Sequence, residues 1–313
     1  MDRSTKKISA AIRAEALRLG FADCGFCRVE PLKDDGVRLK KWLDQGYHAR
    51  MDYMARNFEK RLDPAMLFEG AKSVISVLLN YYTDKRQEDS AAPVISKYAY
   101  GKDYHTVMKD KLRQLFGFIN KNYGRVSGRI FVDSAPVLEK SWARKAGLGW
   151  VGKNSLLISP ELGSFVFIGE IICDLDLDCF RSPGGDLCGD CTRCIEACPT
   201  NAILGNRTLD ARKCISYQTT SNKGEIDEDL RPRLSNRLFG CDICQEVCPW
   251  NKRAVLHSEP AFGPSGELMK MRRKEWFDLD RDHYSRLFKD SPVKEAGYDK
   301  LMQTLHALRG PGD

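Results

Sequence analysis

The chain has 313 residues, of which 42% are apolar and 30% charged, with 50 Lys/Arg against 43 Asp/Glu. That apolar share supplies the core of one large domain or two ordinary ones, and it excludes a disordered chain, which has few aliphatic residues and a high net charge. Twelve cysteines in this length fall well below the roughly 8–10% of disulfide-stapled secreted scaffolds.

In chain order, Met1 to Lys7 is polar and leads into an amphipathic helix over Lys6 to Leu19, with Gly20 as its stop. Neither an apolar signal core nor a run of about 18 apolar residues occurs, so a cytoplasmic protein with no membrane partner and reduced thiols is expected. Reduced thiols point to metals. A second helix is predicted over Val37 to Gln45, and the apolar run Ser73 to Tyr81 reads as a buried strand. Asp103 to Tyr123 predicts a long helix closed by Gly124. Arg129 to Val132 predicts a strand, Ala135 to Ala146 a helix started by Asp133 or Ser134, Ser155 to Ser159 a short strand, and Ser164 to Cys173 an apolar strand. This mixture indicates an α+β or α/β layer structure. From about Glu259 the chain is polar and helical, ending in Lys300 to Leu308 and a loose tail, Gly310 to Asp313.

Gly147-Leu-Gly149-Trp-Val-Gly152 fits G-x-G-x-x-G, but it follows a helix where a dinucleotide site follows a strand. Gly147 reads instead as a left-handed glycine at a helix C-terminus. Charge is uneven: residues 97–153 hold 12 Lys/Arg against four Asp/Glu, whereas residues 171–200 hold two against six.

Eight cysteines lie between Cys188 and Cys248. Cys188-Gly-Asp-Cys191-Thr-Arg-Cys194-Ile-Glu-Ala-Cys198-Pro199 matches the bacterial ferredoxin run C-x2-C-x2-C-x3-C-P, in which the fourth thiolate crosses to a second cluster. Cys241-Asp-Ile-Cys244-Gln-Glu-Val-Cys248-Pro249 is the same run lacking one cysteine, which Cys214 replaces. The count closes at two sets: Cys188, Cys191, Cys194 and Cys248 for one 4Fe-4S cluster; Cys198, Cys214, Cys241 and Cys244 for the other. Zinc also takes four thiolates in paired C-x2-C spacing, but it gives no reason for the repeated x3-C-P. Cys24 and Cys27 lack the company of a redox motif and read as buried structural thiols; Cys173 and Cys179 have no assigned role. His48, His257, His283 and His306 are scattered and read as surface or packing residues. A cluster pair needs about 60 residues. The rest of the chain therefore implies a second redox centre or a reducible substrate.

The segments Ser96-Lys-Tyr-Ala-Tyr-Gly-Lys-Asp-Tyr-His105, Val132-Asp-Ser-Ala-Pro-Val-Leu-Glu-Lys140, Ala146-Gly-Leu-Gly-Trp-Val-Gly-Lys-Asn-Ser155 and Phe167-Ile-Gly-Glu-Ile171 resemble the epoxyqueuosine reductases. So do the Cys214-Ile-Ser-Tyr217 insert and Phe239-Gly-Cys-Asp-Ile-Cys244. The resemblance runs from about Arg13 to Leu308; some family members carry a further C-terminal helical-repeat domain.

The resemblance implies an α+β protein: a nitroreductase-like cobalamin-binding domain over 1–178, a ferredoxin-like domain with two 4Fe-4S clusters over 179–256, and a C-terminal helical segment over 257–313. It implies reduction of epoxyqueuosine to queuosine at the wobble position of tRNA. A cobalamin signature D-x-H-x-x-G is only half present, as Asp103-Tyr-His105-Thr-Val-Met108. Arg56, Ser96, Lys97, Tyr98, Tyr104, His105, Asp133, Lys140, Lys153, Asn154, Ser155 and Gly169 are the candidate cobalamin contacts. Tyr217, Gln218 and Thr219 are expected to meet the modified base, and Arg144 and Lys145 the tRNA backbone, where phosphate neutralisation supplies affinity. The resemblance makes Asp133 the proton donor, kept neutral near pH 7 by burial. Its position alone favours a helix cap, a common job for Asp. An external low-potential carrier of flavodoxin or ferredoxin type and a monomeric state complete the expectation. The competing readings are a dehalogenase-like corrinoid reductase of a small molecule and an electron carrier.

Overall fold

A computed structural model describes residues 3–179, 181–182 and 185–309; the expected tail at 310–313 lies outside them. The chain is α+β. Its centre is a four-stranded antiparallel sheet of β1 (Asp23–Arg28), β2 (Ser73–Asn80), β4 (Gly128–Phe131) and β7 (Val166–Cys173), in the order β1-β2-β7-β4. The two middle strands are mostly apolar and buried along nearly their whole length because helices cover both faces. Helices α1 (Arg3–Arg18) and α4 (Tyr104–Tyr123) cover one face, where Ile12, Met108, Leu112, Leu115 and Ile119 meet Phe167 and Ile171. The other face receives α5 (Glu139–Lys145), whose Trp142 is fully buried with Val74, Leu78 and Ile172.

Strand β1 went unpredicted because Asp-Cys-Gly-Phe-Cys-Arg has no β-branched residue; pairing along all of it, from Asp23 opposite Leu78 to Arg28 opposite Ser73, makes it a strand. Helix α2 (Lys33–Asp44) starts earlier than expected, since Gly36, a poor helix former, lies inside it. That glycine makes room for Leu62 of α3 (Phe58–Leu62), only 2.7 Å from where a Cβ would stand. The expected helix Ala135–Ala146 shrinks to α5: residues 133–138 form a tight turn instead, and Asp133 caps nothing. Gly147 does follow a helix end with φ +74°. Short β5 (Trp150–Val151) and β6 (Leu157–Ile158) pair where a strand over 155–159 was expected. Cys24, Cys27 and Cys173 are buried in the two faces of the sheet.

Two elements join the cysteine-rich region to this body. The two-residue β3 (Val94–Ile95) pairs in parallel with β10 (Arg237–Phe239), past the small hairpin of β8 (Ile203–Gly205) and β9 (Thr208–Leu209). One-turn helices α6 (Arg193–Glu196) and α8 (Ile243–Glu246) carry Cys194 and Cys244, with α7 (Ile215–Thr220) between them. Beyond them α9 (Gly266–Lys270), α10 (Arg273–Phe277), α11 (Arg281–Leu287), α12 (Val293–Ala296) and α13 (Tyr298–Ala307) gather around buried Trp276 and Phe288. Ile95, Ala99, Leu238 and Phe239 join that cluster, so the C-terminal helices cover the β3–β10 joint. No described helix is long and apolar enough to cross a membrane.

Strand β1 approaches the end of α5 through Gly25, where a Cβ would stand 2.2 Å from the Ala146 carbonyl oxygen. Gly25→Ala should therefore destabilise the chain by about 1–3 kcal/mol through overpacking. Thermal unfolding checks this; an unchanged midpoint would refute the close approach.

Candidate functional site

The eight clustered cysteines fall into two groups in space. Cys188, Cys191, Cys194 and Cys248 line one cavity of about 340 Å³, edged by Trp250, Leu187 and Arg253. Cys198, Cys214, Cys241 and Cys244 line another of about 530 Å³, deeper in the molecule. The Trp150 indole N–H donates to Cys188 Sγ at 3.4 Å and the Ala202 N–H to Cys198 Sγ at 3.3 Å. Such donors stabilise metal-bound sulfur. Burial pushes the Cys241 thiol up to about 12 and raises Cys194, whose neighbours Cys188, Cys248 and Cys191 add to the effect. Four soft sulfurs converging on one space suit a metal that accepts all four at once.

Asp242, inside the last C-x2-C, is buried. It accepts hydrogen bonds from Ser96 Oγ, from the Lys97 N–H at 2.8 Å and from Gln245 Nε2 at 3.2 Å. Burial raises its pKa and the bonds from Ser96 and Lys97 oppose that rise. Gly240, at φ +70°, lets the same loop approach: a Cβ there would stand 2.6 Å from Ser96 Cβ. The second thiol set is thus clamped against the segment that begins the cleft wall.

Asp133 ends β4 in an unusual backbone. Its φ is +54°, and the Ser134 N–H bonds to the Val132 carbonyl at 2.6 Å, the pattern of a γ-turn centred on Asp133. The positive-φ form is rare. For a non-glycine residue it costs on the order of 1–3 kcal/mol, so the surroundings must hold it. They do so at both ends. The Asp133 N–H donates to the Glu139 carboxylate, while its own carboxylate accepts the Tyr104 hydroxyl at 2.7 Å and lies 3.6 Å from His105 Nε2. His105 Nδ1 meets Asp103 at 2.8 Å, and the Glu295 carboxylate of α12 comes within 4.8 Å of both.

The electrostatics correct the expectation that burial keeps Asp133 protonated. Its side chain is 60% exposed to the cleft, and the hydrogen bond from His105 holds its pKa below the ordinary value against the opposing effect of desolvation. The protons sit on its neighbours. Burial works to lower the pKa of His105, but the bonds to Asp133 and Asp103 outweigh it and bring it to about 9. Burial, with the Asp133 charge, pushes Glu139 up to about 8, and burial raises Glu170 on β7 well above the ordinary carboxylate range.

Tyr98, Tyr104, Asp133, Thr220 and Ser221 are shared by the deep cavity and an outer one of about 660 Å³, so the two form one cleft. That is more room than a small ligand needs. Tyr104 stacks on Phe167 at 4.1 Å along its wall. Asn154 lines the inner part, and its buried Nδ2 has no partner among the described residues. A large flat ligand rimmed with amide and phosphate oxygens fits these features.

Of the candidate contacts, Ser96, Tyr98, Tyr104, Asp133, Lys140, Asn154 and Tyr217 line the inner cavity and His105 the outer. Others point elsewhere. Gly169 faces α4, with Met108 Cε 2.7 Å from where its Cβ would be. Lys97 is buried with its ammonium near the Tyr82 and Tyr100 rings. Lys153 donates to the Gly189 and Cys191 carbonyls of the first thiol loop, and Ser155 Oγ to Arg207. Arg56 is exposed and lines neither part of the cleft. Gln218 and Thr219 are turned inward, bonded to Arg212 and Ile215; their successors Thr220 to Lys223 face the cleft instead. Arg144 pairs with Asp35 and Lys145 with Glu30, away from the opening. Sequence reasoning missed Glu139, visible in the quoted segment but unassigned. It also missed Glu295, Asp299 and Lys300, which only the fold of the C-terminal helices brings to the rim.

Asp242→Ala should leave the Ser96 hydroxyl and Lys97 N–H without partners, at a cost of about 1–3 kcal/mol. We expect preferential loss of metal from the Cys198, Cys214, Cys241 and Cys244 set, read as metal content after desalting. Full metal retention would refute the clamp.

Two family models match: "4Fe-4S double cluster binding domain" over residues 187–251, and "Epoxyqueuosine reductase QueG, DUF1730" over residues 61–134. The chain is similar to the epoxyqueuosine reductase of Cellulophaga algicola, 48% identical over 304 residues that cover 97% of this chain and 99% of that one. A crystal structure of an epoxyqueuosine reductase with an epoxyqueuosine-modified tRNA-Tyr stem loop superposes with a TM-score of 0.86 at 28% identity, covering 96% of this chain and 80% of that one. A Bacillus subtilis epoxyqueuosine reductase, described with its aspartate catalytic loop swung out of the active site, gives 0.85 at 27% identity, over 96% and 81%. With near-complete coverage at 48% identity, the chain belongs to the epoxyqueuosine reductase family.

Proposed function

We infer that this chain reduces epoxyqueuosine to queuosine at the wobble position of tRNA, with cobalamin in the cleft and two 4Fe-4S clusters on the eight thiols. The observation that carries the reading is the cleft itself: it runs from the Asp133–His105 pair at its centre to the Cys198, Cys214, Cys241 and Cys244 set at its inner end. A proton source and an electron source thus face one space.

The reaction removes an epoxide oxygen as water, which consumes two electrons and two protons and leaves a carbon–carbon double bond. Bound cobalamin supplies a strongly reducing cobalt, recharged by single electrons from the clusters. Ser96, Tyr98, Tyr104, Lys140 and Asn154 would hold the corrinoid. Asp133 would deliver the proton to the departing oxygen. His105 stores that proton in the open cleft, and filling the cleft strips water from the exposed Asp133 carboxylate, which raises its proton affinity. Tyr217 and the segment Thr220 to Lys223 would receive the nucleotide, with Glu295 and Lys300 opposite.

The same reading assigns residues 1–178 to the cobalamin domain, 179–256 to the cluster domain and 257–313 to its helical cover. It makes the protein a cytoplasmic monomer charged by a small one-electron carrier of flavodoxin or ferredoxin type. The Cys188, Cys191, Cys194 and Cys248 set, nearer the surface, would receive the electron.

Three outcomes test it in protein prepared without oxygen. Asp133→Asn should keep iron and cobalt and lose turnover of tRNA carrying epoxyqueuosine; near-normal turnover would remove Asp133 as donor. Cys214→Ser should lose the iron of one cluster and keep the other, whereas full iron would break the assigned sets. His105 faces Asp103, Tyr104, Asp133 and Glu295, and its proton is present below its pKa and lost above it. Turnover should therefore fall as pH rises through about 9, and a rate that stays flat well beyond that would dismiss His105 as the store.

A further inference from the structure

We propose that Glu139 is a positioning residue: by accepting the hydrogen bond of the Asp133 backbone N–H, it holds Asp133 in the strained turn that points its carboxylate into the cleft. The proposal deepens the reading of Asp133 as proton donor and rests on it.

Four observations converge. Asp133 is a non-glycine residue at φ +54°, at the centre of a turn closed by the Ser134 N–H and Val132 carbonyl. Such a turn relaxes to negative φ unless something outside it holds the peptide. Its carboxylate is 60% exposed, so packing does not fix its direction, and Tyr104 and His105 can grip it only if the backbone first presents it. The Asp133 N–H has one partner, the Glu139 carboxylate.

Glu139 is itself rigidly placed. It opens α5, whose next residues are anchored by the Lys140 ammonium on the Ser155 carbonyl at 2.8 Å and by the fully buried Trp142. Six residues of chain thus close a loop whose two ends, β4 and α5, both pack on the central sheet. With the acceptor gone, the turn can relax and carry the Asp133 carboxylate off the Tyr104 hydroxyl, while the sheet, the thiol sets and the rest of the cleft stay in place. Lys140, the neighbouring candidate, has only donors and cannot substitute.

The test uses holoenzyme with both clusters and cobalamin, and compares Glu139→Gln, which keeps an acceptor, with Glu139→Ala, which has none. Glu139→Asp withdraws the acceptor by one methylene and serves if the alanine variant does not fold. Two readouts are taken: amide hydrogen exchange of the peptide spanning residues 130–138, and kcat and KM for an epoxyqueuosine-bearing stem loop. We expect Glu139→Gln to keep protection and turnover. Glu139→Ala and Glu139→Asp should exchange faster at Asp133 and lose roughly tenfold to a hundredfold in kcat, with KM, iron and cobalt unchanged. Native kcat and protection in Glu139→Ala or Glu139→Asp overturns the proposal, as does a glutamine variant as impaired as alanine. An active Asp133→Asn run in parallel overturns the donor reading instead, and the exchange data still decide whether Glu139 holds the turn.

Discussion

The buried carboxylate of Asp242 is the contact on which the arrangement of the two redox regions depends. A carboxylate at that depth is tolerable only with several donors, and it takes them from Ser96 and Lys97 at the edge of the cleft and from Gln245 in its own loop. Because Asp242 lies between Cys241 and Cys244, satisfying it also fixes where two thiols of the second set stand. The parallel pairing of β3 with β10 and the packing of the C-terminal helices over Ile95, Leu238 and Phe239 reinforce the same joint. This joint is where the fold fixes the second thiol set against the wall of the cleft.

At the centre of the cleft the governing fact is the placement of protons among crowded acids. The Asp133 charge adds to burial in raising the proton affinity of Glu139 and Glu170. Asp133, the exposed member, is the one whose pKa is lowered, chiefly by its bond to His105. A carboxyl group beside a protonated imidazole is ionised in open water and has no proton to give, whereas a ligand that excludes that water raises its proton affinity. The proton affinity of Asp133 is therefore coupled to the occupancy of the cleft.

The C-terminal helices do more than cover the joint. Glu295, Asp299, Lys300 and Gln303 line the outer cleft, opposite Thr220 to Lys223. Burial brings Lys300 down to about 8, and its ammonium donates to the Gly224 carbonyl at 3.2 Å, tying this rim to the loop across from it. A segment that looks like a polar tail in one dimension is thus one wall of the outer cleft.

The sequence by itself determined the metal chemistry, because thiolate spacing is a local property: the C-x2-C-x2-C-x3-C-P run and its partner are legible at fixed offsets, and their grouping in space follows the crossed pattern. It also determined the long helices and apolar strands, whose periodicity is local. Local signals failed where a partner makes the element or the role. Strand β1 exists through β2, and Gly169 and Lys97 were drawn into the site by their motifs though packing turns them away. Residues 133–138 read as the start of a helix, yet form a strained turn because Glu139 and Tyr104 hold Asp133 from two sides. Only the tertiary structure decided the direction of the Asp133 carboxylate, the lowering of its pKa by His105 and the contribution of α12 and α13 to the cleft. Each of these is set by burial and by contacts between residues distant in the chain, which no spacing encodes.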